Sequence, residues 1–538
     1  MGVFLNRGTS EFERAVNSKI YVDKTDMVQF FNDRVNTEQN FVCVSRPRRF
    51  GKTMAANMLA AYFEKGSDAR FLFENRKLGQ LEGWDRNLNK FNVLRIDVAY
   101  ALALKLDSKA ALTYIEETIV SDIVEAFPAV EITLEMEPAV ALDKVNAATG
   151  EQFIIIIDEW DAFFRDEKLD FETQKNYIML LRTLFKSISS KKFTALAYIT
   201  GILPIKRYES ESALNNFDEF TMIRPFALLD YVGFTEDEVR KLCELYYMDY
   251  NELCSWYDGY TFEKKEIVNG KRKTIPVHIF GPNSVIKAIL NVECCNYWSK
   301  TTAYDSLAGY ITMNFDGLKD DIIEMIGGGR TAIDPEGFQN DMTSFKTKDD
   351  VMTVLIHLGY LGYDSKTNEV YIPNKEVMQC YKNTLKATDW TSVTEALDNS
   401  IKLLDNLLKG NAEAVASGIE KCHRDNTSIL KYNDENSLAS VIGLSFYAAR
   451  DKYQLIREMP AGEGFADIVF LPRPGVTEPA IIMELKWKDS PDSALRQIKD
   501  KKYPEALKDY SGNILLVGIS YEKDGSDSKK HTCVIERI

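Results

Sequence analysis

Four consecutive isoleucines, Ile154 to Ile157, run into two carboxylates in the stretch Phe153-Ile-Ile-Ile-Ile-Asp158-Glu159-Trp-Asp161. The run is far too short to span a bilayer. Its β-branched side chains are stiff at χ1 and fit a pleated strand better than a helix. Because the apolar character is continuous rather than alternating, both faces must be buried, as in a central strand of a parallel sheet covered by helices. Ligands of such sheets sit beyond the carboxyl ends of the strands. Asp158 is therefore expected to hold Mg²⁺ through its water shell, and Glu159 to orient or deprotonate an attacking water. The plainer alternative is that both carboxylates cap the next helix.

A second stretch upstream bears on that choice. Val42-Cys-Val-Ser-Arg-Pro-Arg-Arg-Phe-Gly51-Lys52-Thr53 reads as a short β-branched strand, a turn and the start of an Ala-rich helix running towards Lys65. Backbone N–H groups and the positive end of a helix dipole cradle phosphates in such a loop. Lys52 would reach the β/γ-phosphates, and the Thr53 hydroxyl would ligate Mg²⁺. The full pattern G-x-x-x-x-G-K-[ST] asks for glycine at position 46, where this chain has Arg46.

Residues 91–98 and Phe193 to Gly201 predict further buried strands, with helix-compatible sequence between, so strands alternate with helices. Thr200 ends its strand where a hydroxyl would sense a γ-phosphate, although position alone favours an ordinary strand-end threonine. Arg207 and Arg224 are candidates for the cation that stabilises phosphoryl transfer. Thr235 with Glu238 has capping-box spacing and opens a helical region that reads as a lid. Residues 347–377 predict a helix and then a strand pair, compatible with a winged-helix-like module. A polar helical stretch follows at about 392 to 425.

A length of 538 residues calls for several domains. The net charge of −15 offers no bulk attraction to nucleic acid, though a local basic groove would still bind phosphates. Eight scattered cysteines without C-x-x-C spacing and only four histidines indicate neither a zinc site nor a disulfide scaffold. No apolar run is long enough for a membrane helix, and the N-terminus lacks signal-peptide order. Met1-Gly2 is followed by Asn6 where myristoylation needs Ser or Thr. The expectation is a cytoplasmic protein that does not use a membrane.

The last hundred residues carry a separate pattern. Asp467 lies in Gly464-Phe-Ala-Asp467-Ile-Val-Phe-Leu471, and Glu484 and Lys486 in Ala480-Ile-Ile-Met-Glu484-Leu-Lys486-Trp. Strand side chains alternate, so Glu484 and Lys486 share a face while Met483 and Leu485 take the other. Charges closing an otherwise apolar strand are costly without a purpose. Two carboxylates from neighbouring strands bind Mg²⁺, and an adjacent lysine orients water or stabilises a pentacovalent phosphate. Gln497, Lys499 and Tyr503 belong to a following basic helical stretch. Glu435 and Glu458 are weaker candidates, and a salt-bridged, solvent-exposed strand face is the bland alternative.

These motifs resemble a known pair of families. Tyr21-Val-Asp-Lys-Thr25, Arg46-Pro-Arg-Arg-Phe-Gly-Lys-Thr53, Asp158-Glu159 and Thr200-Gly-Ile-Leu-Pro204 look like the bacterial AAA-ATPase-like family. Gly233-Phe-Thr-Glu, Trp256-Tyr-Asp-Gly-Tyr260, Pro282-Asn-Ser284 and Gly359-Tyr-Leu361 continue the similarity. That family carries the Arg-Pro-Arg-Arg-Phe loop, so Arg46 fits it. The C-terminal part resembles the PD-(D/E)XK nuclease domain, with Phe465 where that family often has Arg.

The resemblance implies an α/β chain in four parts. A P-loop NTPase parallel sheet spans 1–235, a helical lid and winged-helix-like module 236–390, a helical linker 391–430, and a smaller α/β restriction-endonuclease-like domain 431–538. ATP would sit on Arg49, Phe50, Gly51, Lys52, Thr53, Asp158 and Thr200. Mg²⁺ would sit on Thr53 and Asp158, and a second Mg²⁺, or Mn²⁺, on Asp467 and Glu484. Glu159, Asp467, Glu484 and Lys486 would be catalytic. The implied function is an ATPase coupled to a nuclease acting on nucleic acid, DNA ahead of RNA, with a role in defence or mobile elements. Homo-oligomers fit such a fold. The alternative is a nucleotide-switched scaffold or sensor whose C-terminal domain binds nucleic acid or a partner without cutting.

Overall fold

The protein is described by a computed structural model apart from residues 1, 106, 166–170, 206, 209–210, 213, 269, 299–302, 314, 316, 339–344, 387–390, 427–434, 462–463, 474–475, 488, 508–511 and 522–530. Two compact units divide it: Met1–Tyr297 with Ile333–Asn368, and Trp298–Ala332 with Glu369–Ile538.

In the first unit, strand β1 (Phe41–Ser45) leads through the Arg46–Gly51 turn into helix α1 (Lys52–Phe63). Strands β2 (Asn92–Asp97), β3 (Phe153–Asp158), β4 (Thr194–Gly201) and β5 (Asp218–Phe220) follow. All five are parallel in the order β2-β3-β4-β1-β5. Every residue of β3 is buried, as four isoleucines between two helical layers require. Phe153, Ile155 and Ile157 pack in one core with Phe41, Leu94, Ile96, Ala197 and Ile199. On α1, Ala55, Ala56, Ala60 and Ala61 are buried, and their small side chains let the helix lie close to the sheet. Parallel register then fixes the level of the strand ends: Asp97 pairs with Asp158, and Asp158 with Thr200.

The Phe234–Thr235 strand, β6, opens helix α2 (Glu236–Tyr246), with Thr235 N–H donating to Glu238 Oε2 at 2.9 Å as its spacing predicts. Glu238 also takes the Lys24 ammonium at 2.6 Å, which ties the Tyr21–Thr25 motif to this helix. Strands β7 (Tyr260–Val268) and β8 (Lys271–Phe280) form a long antiparallel ribbon in the order β6-β8-β7. Helix α3 (Lys348–Leu358) is capped by Thr347 and stops at Gly359, whose φ of 85° is costly for residues with a Cβ. Short strands Gly362–Asp364 and Glu369–Tyr371 follow it in sequence.

The second unit holds helices α4 (Thr391–Leu408), α5 (Ala412–Asn426) and α6 (Glu435–Ser445). Its mixed sheet comprises β9 (Tyr453–Ala461), β10 (Gly464–Pro472), β11 (Ala480–Trp487), β12 (Ile514–Tyr521) and β13 (His531–Arg537), in that spatial order. Only β11 and β12 run parallel, and helix α7 (Pro491–Asp500) lies in the connection between them. Burial of Ala494, Leu495 and Ile498 fixes that helix on the sheet, and Gly518 of β12 makes the approach close. A Cβ at Gly518 would stand 2.1 Å from the Pro491 carbonyl oxygen, a backbone atom that cannot rotate away. Gly518→Ala should therefore destabilise the C-terminal unit by about 1–3 kcal/mol. Urea unfolding followed through its Trp487 would test this, and an unshifted midpoint would contradict the packing.

Candidate functional site

Two sites emerge, one in each unit. The first begins where β1 ends. Arg49 and Gly51 both have positive φ, 69° and 94°, so the turn curls and presents backbone N–H groups before α1 starts at Lys52. Arg46, standing where the usual loop has glycine, is buried, and its guanidinium donates to the Ser45 and Phe220 carbonyls at 2.9 and 3.0 Å. It thus braces β1 against β5, which is a structural reason for a large side chain there. Burial pulls the Arg46 pKa down to about 10. Phe50 is buried too, its ring edge-on to Tyr260 at 5.5 Å, so it anchors the loop to the ribbon. Arg49 is exposed, with its guanidinium 3.5 Å from the Tyr297 carbonyl.

The Lys52 ammonium is buried and donates to the carbonyls of Arg46 and Pro47 at 2.9 and 2.8 Å. It holds the loop closed with bonds that phosphate oxygens would replace. Burial lowers its pKa to about 8, partly offset by Asp158, Asp161 and Glu159. Burial raises Asp158 to about 6, a hydrogen bond from Thr53 opposes the rise, and the neighbouring Asp97 adds to it. Thr200 is fully buried and its hydroxyl has no hydrogen-bond partner among the described residues. A buried orphan hydroxyl beside Asp158 suits a ligand oxygen better than an ordinary strand end. Thr53, Asp158 and Thr200, with the Lys52 ammonium, fit a nucleotide phosphate and its Mg²⁺.

The turn after β3 carries features that the sequence motif did not reveal. Glu159 adopts a left-handed conformation, φ 54°. Its carboxylate pairs with Arg165 at 2.5 Å, and against the opposing effect of burial that charge keeps Glu159 below the ordinary carboxylate range. Asp161 is fully buried. It accepts the N–H groups of Ile202 and Leu203 at 3.0 and 2.9 Å and lies 3.8 Å from Arg165. Asp161 therefore clips the β3 turn to the Thr200-Gly-Ile-Leu-Pro204 segment. Its place in the Asp-Glu-Trp-Asp stretch was the available signal; Arg165 had none. Arg224 is exposed and paired with Glu336 at 2.5 Å. The side chains of Arg207 and Glu435 lie outside the described residues.

The second site lies on β10 and β11. Ile468 pairs with Met483, so one step along the antiparallel register brings Asp467 level with Glu484. Asp467 accepts the Leu485 N–H at 2.7 Å, and Lys486 lies 3.1 Å from Glu484 Oε1. Gln497 of α7 donates to the same Glu484 oxygen and is 3.2 Å from the Tyr503 hydroxyl. The other Glu484 oxygen, Oε2, is buried and has no partner among the described residues. Glu458 sits exposed on β9 with φ 49°, at the position opposite Asp467 between the rungs Arg457–Ile468 and Met459–Ala466. Phe465 is 62% exposed.

Among the described residues no three His, Cys, Asp or Glu side chains converge on one point. An ion here would rest on two carboxylates and keep water elsewhere, as Mg²⁺ commonly does. The orphan Oε2 beside Asp467 fits that demand. Among the described residues no helix is long and apolar enough to cross a membrane.

This parallel sheet with its Lys-Thr loop and acidic strand end defines a P-loop-like α/β domain, and the mixed sheet with its Asp, Glu and Lys defines a second, nuclease-like one. Residues 6–209 match the family model described as "Predicted AAA-ATPase", and residues 433–530 that of the PD-(D/E)XK nuclease superfamily. The chain therefore carries an AAA-ATPase-like domain and, C-terminal to it, a PD-(D/E)XK nuclease superfamily domain.

A protein of Azotobacter chroococcum mcd 1, described as "Uncharacterized protein in vnfD 5'region", is 27% identical over 257 residues, 46% of each chain. The match thus spans less than half of that relative's length. Among solved structures, "Structure of the Aeropyrum Pernix ORC2 protein (ADPNP-ADP complexes)" aligns over 70% of this chain and 98% of its own. Its TM-score is 0.29 and its identity 11%.

Burial first, and then the Asp467 charge, raise the Glu484 pKa to about 7. A carboxyl raised above its unfolded value near 4.5 binds protons more tightly when folded, so its contribution to stability is lost as pH climbs from about 4.5 through 7. Glu484→Gln should consequently gain thermal stability relative to the parent across that window and hold a constant advantage above it. Melting temperatures from pH 5 to 8 without divalent ions would check this; a pH-independent difference would contradict the shift.

Proposed function

We infer that the chain is an ATP-hydrolysing protein coupled to a metal-dependent nuclease that cleaves nucleic acid phosphodiesters, DNA ahead of RNA. The observation that carries this is the buried Glu484, with one carboxylate oxygen unpartnered among the described residues, flanked by half-buried Asp467 and Lys486, on the same chain as a closed phosphate loop. A reducing cytoplasm is the location that accords with cysteines spaced without a disulfide framework.

In the N-terminal site, Lys52 would exchange its bonds to the Arg46 and Pro47 carbonyls for phosphate oxygens. Thr53 and Asp158 would hold Mg²⁺, which when bound neutralises charge on the phosphates. Thr200 would donate its free hydroxyl to the terminal phosphate. Glu159 would orient water once its carboxylate leaves Arg165, and the released guanidinium would lie among Asp158, Asp161 and Lys52 with positive charge to offer.

In the C-terminal site, Asp467 and Glu484 would hold Mg²⁺ or Mn²⁺, which polarises a phosphoryl oxygen when bound. Gln497 fixes the Glu484 carboxylate, and Lys486 orients the attacking water or steadies the charged phosphate. A role in defence or mobile elements accords with such a pairing.

The Arg165–Glu159 ion pair favours a second reading, a nucleotide-switched scaffold or sensor with slow turnover, because it withholds the water-orienting group.

Lys52→Ala should lower ATP turnover by at least about 100-fold. Glu484→Ala should abolish cleavage of labelled DNA and RNA with Mg²⁺ or Mn²⁺ while leaving ATP binding intact. A Glu484→Ala protein that still cuts would sink the nuclease assignment. Tight nucleotide binding without turnover in the parent would move the conclusion to the switched scaffold.

A further inference from the structure

Among the described residues, the ribbon of β7 and β8 is anchored towards its inner end. Tyr260, Ile279 and Phe280 are buried, and the Tyr260 hydroxyl donates to the Gly359 carbonyl at 2.5 Å. Glu263 takes Lys366 at 2.5 Å, and Lys264 is held by Asp230 at 2.5 Å and Glu266 at 3.0 Å. Beyond that level the chemistry changes. The segment Lys264-Lys-Glu-Ile-Val-Asn-Gly-Lys-Arg-Lys273 holds five cations and one acid in a chain whose net charge is −15. Lys265, Lys271, Arg272 and Lys273 are all exposed, and none makes an ion pair among the described residues. Ile267 is 80% and Val268 45% exposed between them.

Lysines on an edge strand often serve only to block edge-to-edge pairing. An aliphatic residue left 80% exposed at the tip works against that purpose. Arg272 pairs with Ile267 and Lys271 with Val268, so strand alternation puts Lys265, Ile267 and Arg272 on one face, and Val268, Lys271 and Lys273 on the other. Cations therefore stand on both faces of a projecting, two-stranded ribbon about 17 Å long over its last five rungs. A partner that meets both faces must present negative charge on two walls of a cleft. The major groove of B-form DNA, about 12 Å wide and lined on each side by phosphates, admits a two-stranded ribbon. A-form RNA has a deep, narrow major groove that excludes it.

We propose that the tip of the β7–β8 ribbon is a docking arm for duplex DNA, with Lys265, Lys271, Arg272 and Lys273 on the phosphates and Ile267 against the groove. It rests on the assignment of the C-terminal domain as a nuclease and supplies an acidic chain with a local basic surface that holds the substrate. Phosphate contacts of this kind are independent of sequence and fall steeply with salt.

The test uses the full chain carrying Glu484→Ala, so that substrate is not consumed, and fluorescence anisotropy with a fluorescein-labelled mixed-sequence duplex DNA over a salt series. Combined Lys265→Glu, Lys271→Glu, Arg272→Glu and Lys273→Glu should weaken binding by about 100-fold or more at low salt, and reduce the slope of log affinity against log salt by about 3 to 4. ATP turnover without DNA should stay at the parent level, which verifies the fold. The milder pair Lys271→Gln and Arg272→Gln should reduce the slope by about 2.

Duplex affinity and slope unchanged in both variants would overturn the proposal, as would a parent that binds single-stranded RNA but no duplex. Cleavage assays on the same charge-reversed chain with Glu484 intact separate the two assignments. Cutting that survives charge reversal refutes the arm and leaves the nuclease standing. Ribbon-dependent binding without cutting by any form keeps the arm and refutes the nuclease.

Discussion

Parallel register is the constraint on which the N-terminal site depends. Because β2, β3 and β4 run the same way and pair without slippage at their carboxyl ends, Asp97, Asp158 and Thr200 finish at one level. A shift of a single residue would turn each of these side chains to the opposite face. The register is in turn enforced by a strand of isoleucines buried on both faces, which has no polar side to offer solvent. Asp161 then locks the strand ends together, joining the β3 turn to the segment after β4 by two hydrogen bonds to backbone N–H groups. A Cβ at Gly201 would stand 2.6 Å from Asp161 Oδ1, so the glycine leaves room for that clip.

Both candidate sites hold charge where burial disfavours it. Asp158 and Glu484 are pushed up to about 6 and about 7, in each case by burial first and by a second carboxylate besides. Each has a lysine whose charge opposes the rise, Lys52 for Asp158 and Lys486 for Glu484. A buried carboxylate beside a second acid costs folding free energy that a bound cation would offset. Orphaned polar atoms accompany both, Thr200 Oγ1 and Glu484 Oε2. They are two of many such atoms among the described residues, and it is their place beside acid–lysine clusters that motivates the ligands proposed for both.

Sequence periodicity and strand-end logic made much of this legible. The isoleucine run, the Gly51-Lys52-Thr53 turn and the alternation of Glu484 with Lys486 follow from local rules that tertiary contacts reinforce. What remained hidden depends on contacts distant in sequence. Arg46 appeared as a departure from a glycine pattern, and only its bonds to Ser45 and Phe220 show why a large cation is accommodated. The ion pair of Arg165 with Glu159 spans six residues through a left-handed turn that no propensity indicates. The cations of the β7–β8 tip fall on two faces of one arm only through strand pairing, which no local pattern indicates.

The central claim is that nucleotide in one domain governs phosphodiester cleavage in the other. The most direct measurement is the cleavage rate of one labelled duplex DNA with Mg²⁺, taken without nucleotide, with ATP and with a non-hydrolysable ATP analogue. The account predicts rates that differ between these states and a nucleotide response that disappears when Lys52 is replaced by alanine. Equal rates in all three states, or no cleavage in any, would contradict it.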